Sequence, residues 1–250
     1  MSRIITLLTD FGTADGYVGE MKGVLATGAA GASLVDVAHD LVPHDVDGAR
    51  LALARYWRRF PPGTVHVVVI DPGVGGNRAA LAVESEGRYL VGPDNGVLSP
   101  ALLHAGMRCV SLPISPTAAP TFHGRDVFAP AAAELAQGIA LDALGAPFGE
   151  PVVRRTPEAT RRDDGGVAGV VITIDRFGNA VTNLMARRSG VIDVGGRRVP
   201  LARSYVDVAE GVLVALVGSS GLVEIACRDG SAAAELGLIR GSAVVLLPSA

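Results

Sequence analysis

Cysteine is nearly absent: Cys109 and Cys227 are the only two among 250 residues, far apart and in no metal-ligand spacing. A disulfide framework is thereby disfavoured, and two buried thiols of a cytoplasmic protein are expected. No apolar run approaches the roughly 20 residues that span a bilayer, so no membrane partner is expected. The first ten residues carry Asp10 and no small-residue cleavage site, which speaks against a signal peptide. An excess of one charge is also missing. The formal net charge is -3, from 22 basic and 25 acidic residues. Nucleic acid requires a basic face. The pairs Arg58-Arg59, Arg154-Arg155 and Arg161-Arg162 are scattered and read as solvated surface.

Several signature loops are missing too. No Gly-Lys-Ser/Thr follows the Gly-rich stretch after Asp71, which argues against a phosphate-cradling P-loop. No Gly-x-Gly-x-Gly loop follows the first strand, which counts against a methyltransferase. Asp10-Phe11-Gly12 matches a kinase triplet, but the other kinase loops are absent. His39 and His44 flank a loop with Asp36, Asp40 and Asp45, yet the spacing fits no standard metal site. His66 reads as strand packing and His104 as surface.

What is present is a core, since 49% of the residues are hydrophobic. Strand-like and helix-like stretches alternate at first. Ile4 to Leu8, Ser33 to Val37 and Val65 to Ile70 read as strands. Gly16 to Thr27 reads as a helix, and a second one follows a cap at Asp45, with Val46, Ala49, Leu53, Tyr56 and Phe60 at helical spacing. This order predicts right-handed crossovers, a mainly parallel, Rossmann-like sheet, and ligands beyond the carboxyl ends of its strands. Leu81 to Glu84 and Arg88 to Val91 predict a hairpin, and a helix is expected after Arg125. The stretch 138–166, rich in Pro, Gly and charge, is the linker candidate. Beyond it lie short strands at 167–174, 191–194, 212–217, 223–227 and 243–247, separated by Gly turns. They predict a small all-β barrel or sandwich. The expected organisation is an α/β domain over 1–150, a linker over 151–163 and a β-barrel domain over 164–250.

Three polar loops stand out. Asp71-Pro-Gly-Val-Gly-Gly-Asn-Arg78 is good turn chemistry, but a turn does not require Arg78. Phe122-His-Gly-Arg-Asp126 sets His123 among polar neighbours before a helix. Asp126 also reads as a first-turn acid. Asp175-Arg-Phe-Gly-Asn179 combines an acid, an amide and a ring. It suits a nucleoside and equally suits a hairpin turn on Gly178-Asn179. Asp10, just past the first strand, suits ribose hydroxyls.

Six segments in order carry a family resemblance. They are Thr9-Asp-Phe-Gly12, Asp71 to Arg78, Gly92-Pro-Asp-Asn-Gly96, Thr121-Phe-His-Gly-Arg-Asp126, Asp175-Arg-Phe-Gly-Asn-Ala-Val-Thr-Asn183 and Gly218-Ser-Ser-Gly-Leu-Val-Glu-Ile-Ala226. From about residue 4 to 247 the chain resembles the S-adenosylmethionine hydroxide adenosyltransferases, relatives of fluorinase and chlorinase enzymes. The resemblance implies an α/β domain followed by a barrel. It also implies a homotrimer whose sites lie between the first domain of one subunit and the second of the next. Asp71, Arg78 and His123 would handle water, and Asp10 would hold the ribose. Phe177 and Asn179 would meet adenine, with Asp175, Ser219, Ser220 and Glu224 nearby and Tyr205 and Ala232 as further contacts.

The implied reaction is attack of water on the ribose 5′ carbon of S-adenosyl-L-methionine, releasing adenosine and L-methionine. Methionine departs as a neutral thioether, so no acid is needed and no metal or other cofactor is demanded. Base catalysis by such a set contributes roughly 10²–10⁴-fold. The resemblance also implies that the halogenating relatives depart from the Asp-Pro-Gly-Val-Gly…Arg pattern and, in fluorinase, add a loop. This chain keeps the pattern and shows no insertion after Gly96. Two alternatives to a hydrolase remain: a halide-using adenosyl transferase and a non-catalytic adenosine sensor.

Overall fold

The computed structural model describes residues 3–186 and 189–248. Met1 and Ser2, which open the segment read for a leader, lie outside the described residues, as do the last two residues of the expected barrel domain. The chain divides into two compact units between Arg155 and Thr156.

The first unit holds strands β1 Ile4–Thr9, β2 Ser33–Ala38, β3 Val65–Val69, β4 Ala80–Ser85, β5 Arg88–Pro93, β6 Arg108–Ser111 and β7 Ala146–Pro147. They form one sheet in the order β2-β1-β3-β5-β4-β6-β7. From β2 to β5 the neighbours are parallel, and from β5 to β7 they are antiparallel. The expected α/β sheet is therefore present, but parallel over only its first four strands. The reason is local. Glu86 and Gly87 both adopt positive φ, the geometry of a tight hairpin turn, and β4 and β5 must then run antiparallel.

Alternating strand residues feed two cores. Ile5, Leu7, Val65, Val67 and Val69 face helices α1 Tyr17–Gly28 and α4 Ala129–Gln137. Leu8, Val68 and Ile70 face helix α2 Val46–Tyr56 and the single turn α3 Ser99–Leu102. Each such Leu, Ile or Val contributes about 1.5–3 kcal/mol by burial. As the sequence predicts, Asp45 caps α2, its side chain accepting from the Gly48 amide at 3.0 Å. Only part of 138–166 behaves as a linker. Leu141 and Leu144 of the short helix α5 Leu141–Leu144 join the first core, and β7 pairs with β6.

The second unit holds β8 Thr160–Arg161, β9 Val167–Ile174, β10 Ala180–Thr182, β11 Val191–Val194, β12 Arg197–Ala202, β13 Leu213–Val217, β14 Val223–Cys227 and β15 Ala243–Leu246. Pairing runs β9-β10-β14-β13-β12-β11-β15 and returns to β9, a closed seven-stranded barrel with β8 added against β9. Closure leaves the ring without an open edge. Its interior is filled by Val171, Ile192, Val194, Val199, Ala215, Val223, Ile225 and Val244. β10 and β12 escaped the strand pattern because β10 has three residues and β12 contains Pro200 and paired arginines.

Both cysteines are free thiols and buried, and no helix among the described residues is long and apolar enough to cross a membrane. His66 is fully buried in β3, its Nδ1 2.8 Å from the Thr6 hydroxyl, with Tyr56 and Phe60 edge-on to the ring. Burial, aided by the nearby Arg88 charge, pushes the imidazole from the ordinary 6.5 to about 3. The unfolded chain therefore takes this proton first. The stability this group confers is full above pH 6.5 and erodes as pH falls toward 3, by up to about 1.4 kcal/mol per pH unit. Urea unfolding between about pH 7 and pH 5 should show that loss, and His66→Phe should flatten the slope. An equal slope in the variant would assign the acid sensitivity to other groups.

Candidate active site

Asp71 emerges just past β3, at the carboxyl end of a parallel strand, where open α/β sheets collect ligands. The chain then turns back through Pro72 to Gly76, with the Val74 amide on the Asp71 carbonyl and the Gly76 amide on the Gly73 carbonyl. Gly75 has φ +74, and a Cβ there would lie 2.5 Å from the Pro120 carbonyl oxygen. Only glycine allows this loop to rest on the segment that leads into His123. The first two polar loops of the sequence are thus stacked on each other.

Their side chains meet. The Arg78 Nε donates to Asp71 Oδ1 at 3.0 Å, and Nη2 donates to Asp71 Oδ2. The same Nη2 lies 2.8 Å from Nδ1 of His123. Arg78 and Asp71 side chains are 10% and 5% exposed, and His123 is buried. The guanidinium carbon lies 5.4 Å from the centre of the Phe128 ring. Burial, reinforced by the Arg78 charge, holds the His123 imidazole below its usual range, against the opposing pull of Asp71 and Asp126. The ring is neutral at neutral pH. A guanidinium can only donate, so Nδ1 accepts and the ring proton resides on Nε2. His123 therefore presents an N–H away from Arg78, rather than the free lone pair that a general base needs.

Three supports were not recognised as such from the sequence. Asn95 Nδ2 donates to the Ile70 carbonyl at 2.8 Å, and the Asp94 amide donates to the Ala79 carbonyl at 2.9 Å. The Gly92–Gly96 segment thereby clips both ends of the Asp71–Arg78 loop. Asp126 accepts from the Ala119 amide at 2.8 Å and pairs with Arg125, which also binds Glu20. After His123 the backbone makes a wide π-type turn, Gly124–Phe128, before α4 begins. Such turns recur at functional sites. A period-based reading could not see it, since one turn leaves no periodic trace.

Asp10 lies at the end of β1, the strand next to β3, and one of its carboxylate oxygens accepts from the His44 amide at 2.7 Å. His44 holds φ +67, an unusual backbone for a non-glycine residue. No group of three or more His, Cys, Asp or Glu placed to hold a metal ion occurs among the described residues.

In the second unit the loop after β9 is organised by Asp175. Its Oδ1 accepts from the amides of Phe177 and Asn179, both at 2.9 Å, and its Oδ2 accepts from Asn179 Nδ2 at 3.0 Å. Asn179 Nδ2 also makes a long 3.5 Å contact with the Tyr205 hydroxyl. Gly178, with φ +80, lies against Ser231, and its carbonyl accepts from the Ala233 amide at 2.9 Å. The loop is thereby fixed to the start of helix α6 Ala232–Leu236. Burial and the charges of Glu224 and Asp175 raise the Tyr205 phenol above its usual value. Asp175, Asn179, Tyr205 and buried Glu224 therefore form one cluster. Phe177 is 77% exposed, and Ser219 and Ser220 lie in an exposed turn. The Ala232 methyl is fully buried in the barrel core, so a ligand contact there would be made by its main chain.

A two-unit chain of this kind, with an Asp-Arg-His set at the strand ends of an α/β unit ahead of a closed barrel, matches known proteins. Residues 5–145 match the SAM hydroxide adenosyltransferase N-terminal domain, and residues 169–245 match the corresponding C-terminal domain. The chain belongs to the SAM hydroxide adenosyltransferase family. It is 44% identical to an (R)-S-adenosyl-L-methionine hydrolase of Thermus thermophilus, across 98% of this chain and 100% of that one. A fluorinase of Actinopolyspora mzabensis is more distant, 29% identical over 96% of each chain. The crystal structure of a conserved protein from Thermotoga maritima superposes with a TM-score of 0.89 at 31% identity, covering 97% of this chain and 99% of that one.

The electrostatics yield a direct test. Arg78 pushes the His123 value down, and Asp71 pulls it up. In Arg78→Met the repulsion vanishes while the Asp71 attraction remains. NMR titration of the His123 ring protons should show its midpoint rising relative to the wild type. A fall or no change would mean that Arg78 does not govern this imidazole.

Proposed function

We propose that the chain cleaves S-adenosyl-L-methionine with water, giving adenosine and L-methionine. Its substrate is the (R) sulfonium epimer named for the hydrolases it resembles. The observation that carries this reading is the buried Asp71–Arg78–His123 cluster at the carboxyl end of the sheet. A pocket that only held adenosine would have no use for it.

The reaction forms a bond between the water oxygen and the ribose 5′ carbon and breaks the carbon–sulfur bond. The bond's electron pair neutralises the sulfonium, and the oxygen's proton leaves to solvent. The Nε2–H of His123 faces the incoming oxygen. With Arg78 behind it, the ring favours hydroxide over water by stabilising negative charge rather than by removing the proton itself. Asp71 holds the Arg78 fork in place. Alignment for in-line attack adds to this. No cofactor enters, because a thioether leaves without help. Asp10 takes the ribose hydroxyls. The Asp175 loop offers the Phe177 ring for stacking and the Asn179 amide for the adenine edge. Tyr205, Glu224, Ser219, Ser220 and the main chain at Ala232 complete that wall.

Water, rather than halide, is the nucleophile. A halide has no proton to lose, so the hydroxide-favouring Asp71–Arg78–His123 set would be superfluous in a halide site. The higher identity to a hydrolase than to a fluorinase supports the same reading. We assign the active form as a homotrimer with sites at subunit interfaces, in keeping with the family resemblance. Two free thiols fit a reducing cytoplasm.

Pure full-length protein should convert the (R) epimer to adenosine and methionine and process the natural (S) epimer more slowly. Recovery of 5′-chloro-5′-deoxyadenosine from chloride buffer, or binding without turnover, would overturn the reading. Asp71→Ala, Arg78→Ala and His123→Ala should each lower kcat by about 10²–10⁴ while still binding adenosine. The interface assignment has its own check. Co-expressed Asp71→Ala and Asn179→Ala chains should regain about a quarter of wild-type activity, as random mixing of subunits predicts. No recovery beyond the two separate variants would place each site within one subunit.

A further inference from the structure

A buried side-chain chain lies behind Asp10, and the proposed chemistry leaves it unused. The His39 ring is 5% exposed in its side chain. Its Nδ1 lies 2.8 Å from the Thr9 hydroxyl and its Nε2 3.0 Å from Asp36 Oδ1. The other oxygen of Asp36 accepts from Lys22 at the surface. A carboxylate only accepts, so Nε2 carries the proton and Nδ1 accepts from the Thr9 hydroxyl. The Thr9 oxygen is then turned so that its lone pairs face the Phe11 amide, which donates to it at 3.4 Å across the Asp10 residue. The His39 carbonyl accepts from the Gly12 amide at 2.8 Å. A few residues further on, His44, with φ +67, gives its amide to Asp10 Oδ2 at 2.7 Å.

We propose that His39, oriented by Asp36, is a positioning residue that fixes the Thr9–Gly12 turn and so aims the Asp10 carboxylate at the substrate's ribose hydroxyls. The arrangement has an Asp-His-hydroxyl order, but Thr9 is fully buried and has no route to a ligand. Its hydroxyl serves the backbone. A hydrophobic residue at 39 would pack as well as imidazole and would supply neither ring contact. Two contacts hold the turn from different sides: the His44 backbone amide holds one oxygen of Asp10, and His39 holds Thr9 and Gly12 on either side of it. The inference rests on the reading of Asp10 as the ribose carboxylate.

The test uses the full-length protein and the ratio of its affinities for adenosine and 2′,3′-dideoxyadenosine, measured by calorimetry. That ratio does not change when part of a sample is simply unfolded. Asp10→Ala should collapse the wild-type preference for the hydroxylated ligand. His39→Phe should lower the preference by about tenfold, with KM rising and kcat little changed. His39→Asn, whose amide can replace Nδ1 toward Thr9, should keep most of the preference. Hydrogen exchange at the Phe11 and Gly12 amides should quicken in His39→Phe and stay near wild type in His39→Asn. If Asp10→Ala leaves the ratio intact, the ribose reading is wrong, and with it the aim assigned to His39. If Asp10→Ala collapses the ratio but His39→Phe alters neither ratio nor exchange, the positioning role alone is overturned.

Discussion

The polar loops of the first unit are organised around one buried cation. The Arg78 guanidinium has five donors and no acceptor, and it is 10% exposed. One N–H each on Nε and Nη2 reaches Asp71, the second N–H of Nη2 meets His123, and Nη1 lies 3.3 Å from the Ala79 carbonyl. Removing one partner of such a pair leaves a buried charge uncompensated, at a cost of about 3–5 kcal/mol. The cluster therefore forms as a whole. This accounts for the close packing of glycine-rich loops around it. Asn95 ties down Ile70 and Asp94 ties down Ala79 at the two ends of the path from Asp71 to Arg78, and Gly75 rests its middle on Pro120.

The same cation sets the character of the neighbouring imidazole. A histidine beside a carboxylate alone would be held protonated on the side facing it and would offer its other nitrogen as a base. Here the guanidinium lies between, so the charge order is carboxylate, cation, neutral ring. The arrangement raises local positive potential without leaving an unpaired cation, and it directs one N–H outward. In the proposed reaction this outward N–H is the donor that would meet the water oxygen as negative charge develops on it.

Much of this was legible in the sequence, for identifiable reasons. Asp45 and the apolar spacing of Val46, Ala49 and Leu53 marked α2, because capping and burial both act within one helix. The Val-rich run at 65–70 marked a strand buried on both faces. Arg78 stood out as a charge that a turn has no reason to keep, and its guanidinium reaches Asp71 and His123. Other features had no local signature. The antiparallel half of the first sheet follows from one hairpin and from strands of four and two residues, too short to show a period. The clip by Asn95 is a contact between residues 25 apart in sequence. The direction of the Ala232 side chain had no local signature either: its neighbours Ser231 and Ala233 touch the Asp175 loop, while its own methyl turns into the barrel.

The Asp175 loop poses a different problem from Arg78: a half-buried carboxylate and the buried Asn179 must hold still a turn that carries an exposed ring. One carboxylate accepts three hydrogen bonds from within five residues, and α6 is attached to the loop's glycine. Asn179 is left with its amide oriented and Phe177 with its ring open to solvent. An exposed aromatic normally sacrifices apolar area to water. One carried on a loop this constrained loses little further freedom when a planar base covers it, so more of the stacking energy appears as affinity. Rigidity at the surface of the barrel and rigidity around a buried charge in the sheet serve the same end. In the proposed reaction such order would matter, because the reacting carbon must be aligned with both its nucleophile and its leaving group.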